Sequence, residues 1–128
     1  MRSEKDFEKR EWVPKTDLGR KVKSGEITSL EQVYEKGVKI LEPEIIDTLL
    51  PELHEEVLEV TSTQRMTAYG RKQQMRATVI VGDSKGFVGV GVGKAADSRD
   101  AISEAIKSAK RVIIHVQLGC SSWECNCG

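Results

Sequence analysis

Residues whose types could do chemistry gather in Met66 to Gln74, MTAYGRKQQ, a polar and basic run that reads as a loop entering a strand. Long cationic and amide side chains such as Arg71, Lys72 and Gln73, on a loop held by rigid strands, suit contacts to phosphate and sugar. A second suggestive run follows at Gly89-Val90-Gly91-Val92-Gly93-Lys94-Ala95. It resembles a phosphate-cradling loop, but a Walker-type loop places four residues before its Gly-Lys and a Ser or Thr after it. Here three residues intervene and Ala95 follows. A dinucleotide fingerprint also fails, because its glycines lie in a turn between strand and helix whereas these alternate with valine. Alternation at period two puts Val88, Val90 and Val92 on one face of a strand and leaves the opposite face as bare backbone. That bare face lets a helix or another backbone approach closely, the alternative being approach by an RNA backbone.

The one metal-like cluster is His115, Cys120, Cys125 and Cys127. Its Cys-x4-Cys-x-Cys spacing departs from the usual zinc pairs, and three thiolates need a fourth ligand, which His115 supplies only if it points out of its strand. Two readings stay open: a bound zinc on Cys120, Cys125 and Cys127, or reduced structural cysteines with no cofactor required. Catalysis finds little support. His54 lies in an acidic segment and His115 in an apolar run, neither with a nucleophile partner, and Glu52, Glu55 and Glu56 read as a solvated helix end.

Several elements must position these groups. Residues 1–13 are mostly charged, with isolated Phe7 and Trp12, and read either as a terminus without a core or as an arm that orders on a large partner through Trp12 and Pro14. Thr16 caps a helix from Asp17 to Lys23 with Gly25 beyond its end. Its Arg20, Lys21 and Lys23 could meet phosphate, although such a run is more often a solvated face. Thr28 and Ser29 with Glu31 and Gln32 form a capping-box pattern for a second helix, and Pro43 opens a third whose Ile45, Ile46, Leu49 and Leu50 form an apolar face. Glu55 to Met66 reads as a strand with Leu58 and Val60 on one side and Glu59, Thr61 and Thr63 on the other. Ala77 to Val81 and Phe87 to Gly93 form a hairpin with a five-residue connection, Gly82 to Gly86. Asp97 or Ser98 then caps a helix to about Arg111 with an alanine-rich stripe, and Val112 to Val116 forms a fourth strand or extended edge. The fold class is α+β, a double-stranded-RNA-binding-like domain of helix, three-stranded antiparallel sheet and helix, preceded by an N-terminal helical extension. The expected division is an arm and short helices at 1–43, the domain at 44–116, and a cysteine-containing segment at 117–128.

The 128 residues carry 20 basic and 20 acidic side chains, yet the halves differ. Residues 1–60 hold 10 Lys+Arg against 15 Asp+Glu, net −5, and residues 61–128 hold 10 against 5, net +5. An acidic segment, 24–60, thus precedes a basic domain, and a protein-interaction module using that segment against a basic partner is the alternative to nucleic-acid binding. No apolar run reaches the roughly 18 residues of a membrane span, and the N-terminus lacks a signal peptide's apolar segment, so the expectation is a cytoplasmic protein with no membrane partner. Three cysteines make no even disulfide framework, which fits a reducing compartment.

The stretches EWVPKTDLGRKVKSGEITSLEQVYEKG, EPEIIDTLLPEL, QRMTAYGRKQQMRATVIVGDSKGFVGVGVGKA and GCSSWECNCG together resemble the small-subunit ribosomal protein S five family, in its archaeal and eukaryotic form, from about Trp12 to Gly128. The resemblance implies a structural protein of the small subunit that binds small-subunit rRNA. It also implies a place beside the messenger RNA entry channel next to the third and fourth small-subunit proteins, and a part in translational accuracy. By position, the family's RNA-contacting loop falls on Thr67 to Arg76, with Arg71, Lys72, Gln73 and Arg76 as its contacts and Arg65 and Lys94 flanking them. The family normally continues into a second α+β domain, whereas this sequence stops at Gly128, so the expectation is either a fragment or a chain without that domain.

Overall fold

The computed structural model describes residues 12–116 and 119. Among these residues, four helices, α1 (Asp17–Ser24), α2 (Leu30–Glu35), α3 (Pro43–Leu49) and α4 (Ser98–Arg111), accompany four strands, β1 (His54–Thr67), β2 (Gly70–Gly82), β3 (Phe87–Ala95) and β4 (Ile113–His115). The strands form one antiparallel sheet in the order β1-β2-β3-β4, so the α+β class holds and the expected edge segment is a short fourth strand. Among the described residues, no helix is long and apolar enough to cross a membrane.

Local sequence explains most element ends. Thr16 Oγ1 accepts from Gly19 N at 3.1 Å, and Gly25, at φ 83°, closes α1 where an L side chain would be strained. Pro43 takes the first position of α3, where its missing N–H costs nothing. The capping box expected at α2 does not form, since Ser29 makes no side-chain cap bond. Burial of Leu30 and Val33 holds this six-residue helix instead, as tertiary packing does for most short helices.

Two apolar clusters share one side of the sheet. Ala77, Val79 and Val81 of β2 meet Ala101, Ala105 and Ala109 of α4. Leu18, Val33, Ile45 and Ile46 of the first three helices meet Ile113 of β4, with Phe87 packed beside them. The glycine face of β3 is what brings α4 so near. A Cβ on Gly89 would sit 3.0 Å from Ile113 Cγ1, and one on Gly93 would sit 3.0 Å from Ala105 Cα and closer still to the Ala101 carbonyl oxygen. The strip of bare backbone is therefore filled by a helix.

β1 departs from its expected alternation. The register jumps from Val57↔Val79 to Glu59↔Thr78, leaving Leu58 as an extra, bulged residue. Val57 and Val60 consequently share the α4 side, while Glu56, Glu59, Thr61 and Thr63 face the other way; Leu58 and Val60 are not the pair that period two predicts. Because α4 lies chiefly over β2 and β3, both valines stay partly exposed at this edge.

Two carboxylates tie distant backbone together. Glu42 accepts from Trp12 Nε1 at 2.9 Å, Lys15 N at 2.9 Å and Thr16 N at 2.8 Å, so Trp12 is anchored within the chain itself. Asp83, nearly buried, accepts from Lys85 N at 2.8 Å and Phe87 N at 3.0 Å and closes the β2–β3 turn, which needs only four residues because β2 runs through Gly82. In each case burial alone would raise the pKa, but the donated hydrogen bonds outweigh it and hold the carboxyl below its ordinary value. A carboxyl depressed in the folded state stabilises above its unfolded pKa, and that contribution is lost as pH falls through the folded one. Unfolding free energy should therefore fall as pH drops below about 4. In Asp83→Asn, part of that acid dependence should vanish in urea titrations between about pH 2 and 5; an unchanged slope would remove Asp83 from the account.

Candidate nucleic-acid interface

β3 pairs with β2 only between Met75↔Ala95 and Gly82↔Val88. Beyond Met75, β1 and β2 continue alone, from Thr63↔Gln74 to Thr67↔Gly70, as a two-stranded ribbon. At about 3.4 Å per residue it projects roughly 15 Å past the sheet. Ala68 and Tyr69 form its tip, Gly70 supplies φ 122°, and Thr67 Oγ1 donates to Gly70 O at 2.8 Å. The expected loop at residues 66–74 is thus a continuation of two strands. Both faces of the ribbon are wet, so no apolar alternation marks it in the sequence.

Register sorts the six expected contact residues, all exposed, into two groups. Arg65 lies directly opposite Lys72, and Arg76 lies directly opposite Lys94. Arg76 sits one residue from buried Ala77, so this whole group faces away from α4. Arg71 opposite Met66, and Gln73 opposite Gln64, project from the other face of the ribbon. The two cationic rows are four residues apart along β2, about 14 Å.

Like charges directly opposite each other destabilise a sheet. No aspartate or glutamate occurs from residue 61 to 82, and although Glu56 and Glu59 lie further along the same face, among the described residues none of these four cations has a carboxylate within 4.0 Å. Two cations elsewhere are paired with carboxylates across the fold. Lys110, largely buried on α4, meets Asp47 at 2.7 Å and Glu55 at 3.0 Å. Burial would lower its pKa, but those two carboxylates raise it above the ordinary lysine value. Lys85 meets Glu52 at 3.0 Å. With Glu42 these acids account for four of the ten in the segment 24–60, which leaves that segment less free to bind a basic partner than its composition suggests.

Beside the cationic rows on the same open face, Val90, Val92 and Ile114 form an apolar strip, each about half exposed. His54 and His115 stand on opposite edge strands and are not brought together. The His115 ring packs on Phe87 with centroids 5.0 Å apart. Cys120, Cys125 and Cys127 lie outside the described residues, and among the described residues no group of three His, Cys, Asp or Glu could hold a metal. Sequence reasoning missed Lys110 as a tie between α4, α3 and β1, because its carboxylate partners are 63 and 55 positions away. It also passed over Tyr69, whose aromatic type in a basic run was the available signal.

Comparison with known proteins agrees with this architecture. The family described as Ribosomal protein S5, N-terminal domain, matches residues 53–117. Small ribosomal subunit protein uS5 of Methanocaldococcus jannaschii is 53% identical over 118 residues, covering 92% of this chain and 54% of that protein. The uS5 proteins of Methanococcus maripaludis strain C7 and Methanoregula boonei are 49% and 52% identical, covering 99% and 94% of this chain. The chain spans only 58% and 59% of their lengths.

Proposed function

This chain belongs to the ribosomal protein S5 family, and on that premise we propose that it is a structural, non-catalytic constituent of the cytoplasmic small ribosomal subunit that binds small-subunit rRNA through its open sheet face and ribbon. One observation carries the reading: two cross-strand cation pairs, Arg65/Lys72 and Arg76/Lys94, share one face, and among the described residues none of the four has a carboxylate within 4.0 Å. Phosphate is the partner that turns their mutual repulsion into binding, and phosphate contacts fix position on a nucleic acid without reading sequence. Arg71 and Gln73, on the far face of the ribbon, reach a second part of the RNA. A place beside the messenger RNA entry channel and a part in translational accuracy belong to the same reading, as does contact with the third and fourth small-subunit proteins. The half-exposed strip of Val90, Val92 and Ile114 supports a protein neighbour there. No metal or cofactor is required.

Binding measured against salt tests this directly. Four to six neutralised phosphates give a slope of log affinity against log salt of about −3 to −5, since each contributes roughly 0.7 to 0.9. Equal affinity for small-subunit rRNA at 50 and 300 mM potassium chloride would refute phosphate-led binding.

A further inference from the structure

Aromatic side chains are scarce in this chain, and the described ones are almost all used in packing. Trp12 donates to Glu42 at 2.9 Å, and Tyr34 and Phe87 stack with centroids 6.4 Å apart. Tyr69 alone among the described aromatics is fully exposed, at 102%. It occupies the tip of the two-residue turn, at the end of a ribbon held by continuous pairing back to the sheet. Met66, 73% exposed, stands just behind it. The ring is therefore presented by paired backbone, about 10 Å beyond the Arg65/Lys72 row.

We propose that Tyr69 stacks on an unpaired nucleobase while the Arg65/Lys72 row holds the adjoining phosphates. This deepens the RNA-binding reading and rests on it. The major groove of A-form RNA is too deep and narrow for side chains to read, and sequence-specific recognition falls mainly on loops and bulges, where splayed bases stack on aromatic rings. A planar ring on a projecting, cationic arm suits that task, and its energy is independent of base identity because every base offers a π face. The ligand class is thus a bulged or single-stranded nucleotide flanked by helical phosphates.

The test uses the whole chain and two RNA stems identical except that one carries a single 2-aminopurine bulge. Wild type should bind the bulged stem more tightly, by about 5-fold or more, and quench the 2-aminopurine. Tyr69→Ala and Tyr69→Leu should lose that preference and the quenching, Tyr69→Phe should keep both, and all three should retain the wild-type salt slope and unfolding midpoint. Equal binding of both stems by wild type, or Tyr69→Ala behaving as wild type, overturns the stacking role. Arg65→Gln with Lys72→Gln separates the two readings: if it weakens binding to both stems while Tyr69→Ala does nothing, only the stacking is wrong. If neither changes binding, the ribbon is not the RNA surface at all.

Discussion

Replacing Arg65, Lys72, Arg76 and Lys94 together by glutamine should weaken binding to small-subunit rRNA by about 100- to 1,000-fold near 0.1 M salt and flatten the salt slope by about 3. Each residue neutralises one phosphate in this account, and all four face the same way. Folding stability should move in the opposite direction or not at all. Cross-strand like-charge pairs cost a few tenths of a kcal/mol to about 1 kcal/mol each, so removing two of them should leave the urea midpoint unchanged or slightly higher. That opposition separates a functional surface from a structural one. A charge-matched control, Lys36, Lys39, Arg99 and Lys107 to glutamine, changes net charge equally but lies off the ribbon and the open face. It should lose no more than about tenfold in affinity through the long-range field. Equal losses in the two quadruple variants would mean that net charge, not the arranged rows, attracts RNA.

Gly91→Val should be among the most damaging single substitutions to the fold. A Cβ at this position would lie 2.8 Å from Ala109 Cα and closer still to Ala109 N and the Ala105 carbonyl oxygen, all backbone atoms of α4. No rotamer change relieves a clash with helix backbone, so α4 must lift from the sheet and surrender the contacts of Ala101, Ala105 and Ala109 with Ala77, Val79 and Val81. Overpacking commonly costs 1 to 3 kcal/mol, and about 3 kcal/mol or more is expected where the obstacle is backbone. Against a total of about 5 to 15 kcal/mol, that loss should shift the urea midpoint strongly or abolish a cooperative transition. One residue away, Val90 points to the open face and is 51% exposed. Val90→Ala should cost less than about 1 kcal/mol. Similar losses for both would contradict the assignment of a packed glycine face and an open valine face.

That glycine face was legible beforehand because strict Gly-Val alternation admits one strand geometry, and a strand bare on one side needs something close against it. The helix that fills it carries alanines at the matching spacing, so sequence and packing agree at both partners. The ribbon was not legible in the same way. Residues 63–74 are solvated on both faces, and a strand without a buried side has no hydrophobic period to announce it. Hence Arg71, Lys72 and Gln73 read as one loop-borne cluster, whereas pairing sends Lys72 to one face and Arg71 and Gln73 to the other. The same register brings Lys94 opposite Arg76 from 18 positions away. Leu58 shows a similar limit: one bulged residue inverts the alternation after it, and nothing in VLEV signals where the extra residue falls. Which residues carry positive charge could be read from the chain, but which of them act together depended on pairing.

The central claim is that the open face and ribbon meet rRNA within the small subunit. A photo-crosslinking residue at position 72, in small subunits reconstituted with this chain and irradiated, tests it most directly. The account predicts crosslinks to small-subunit rRNA from position 72 that disappear when Arg65, Arg76 and Lys94 are also replaced by glutamine. Crosslinks from position 72 to protein alone, or rRNA crosslinks undiminished by those replacements, would contradict it.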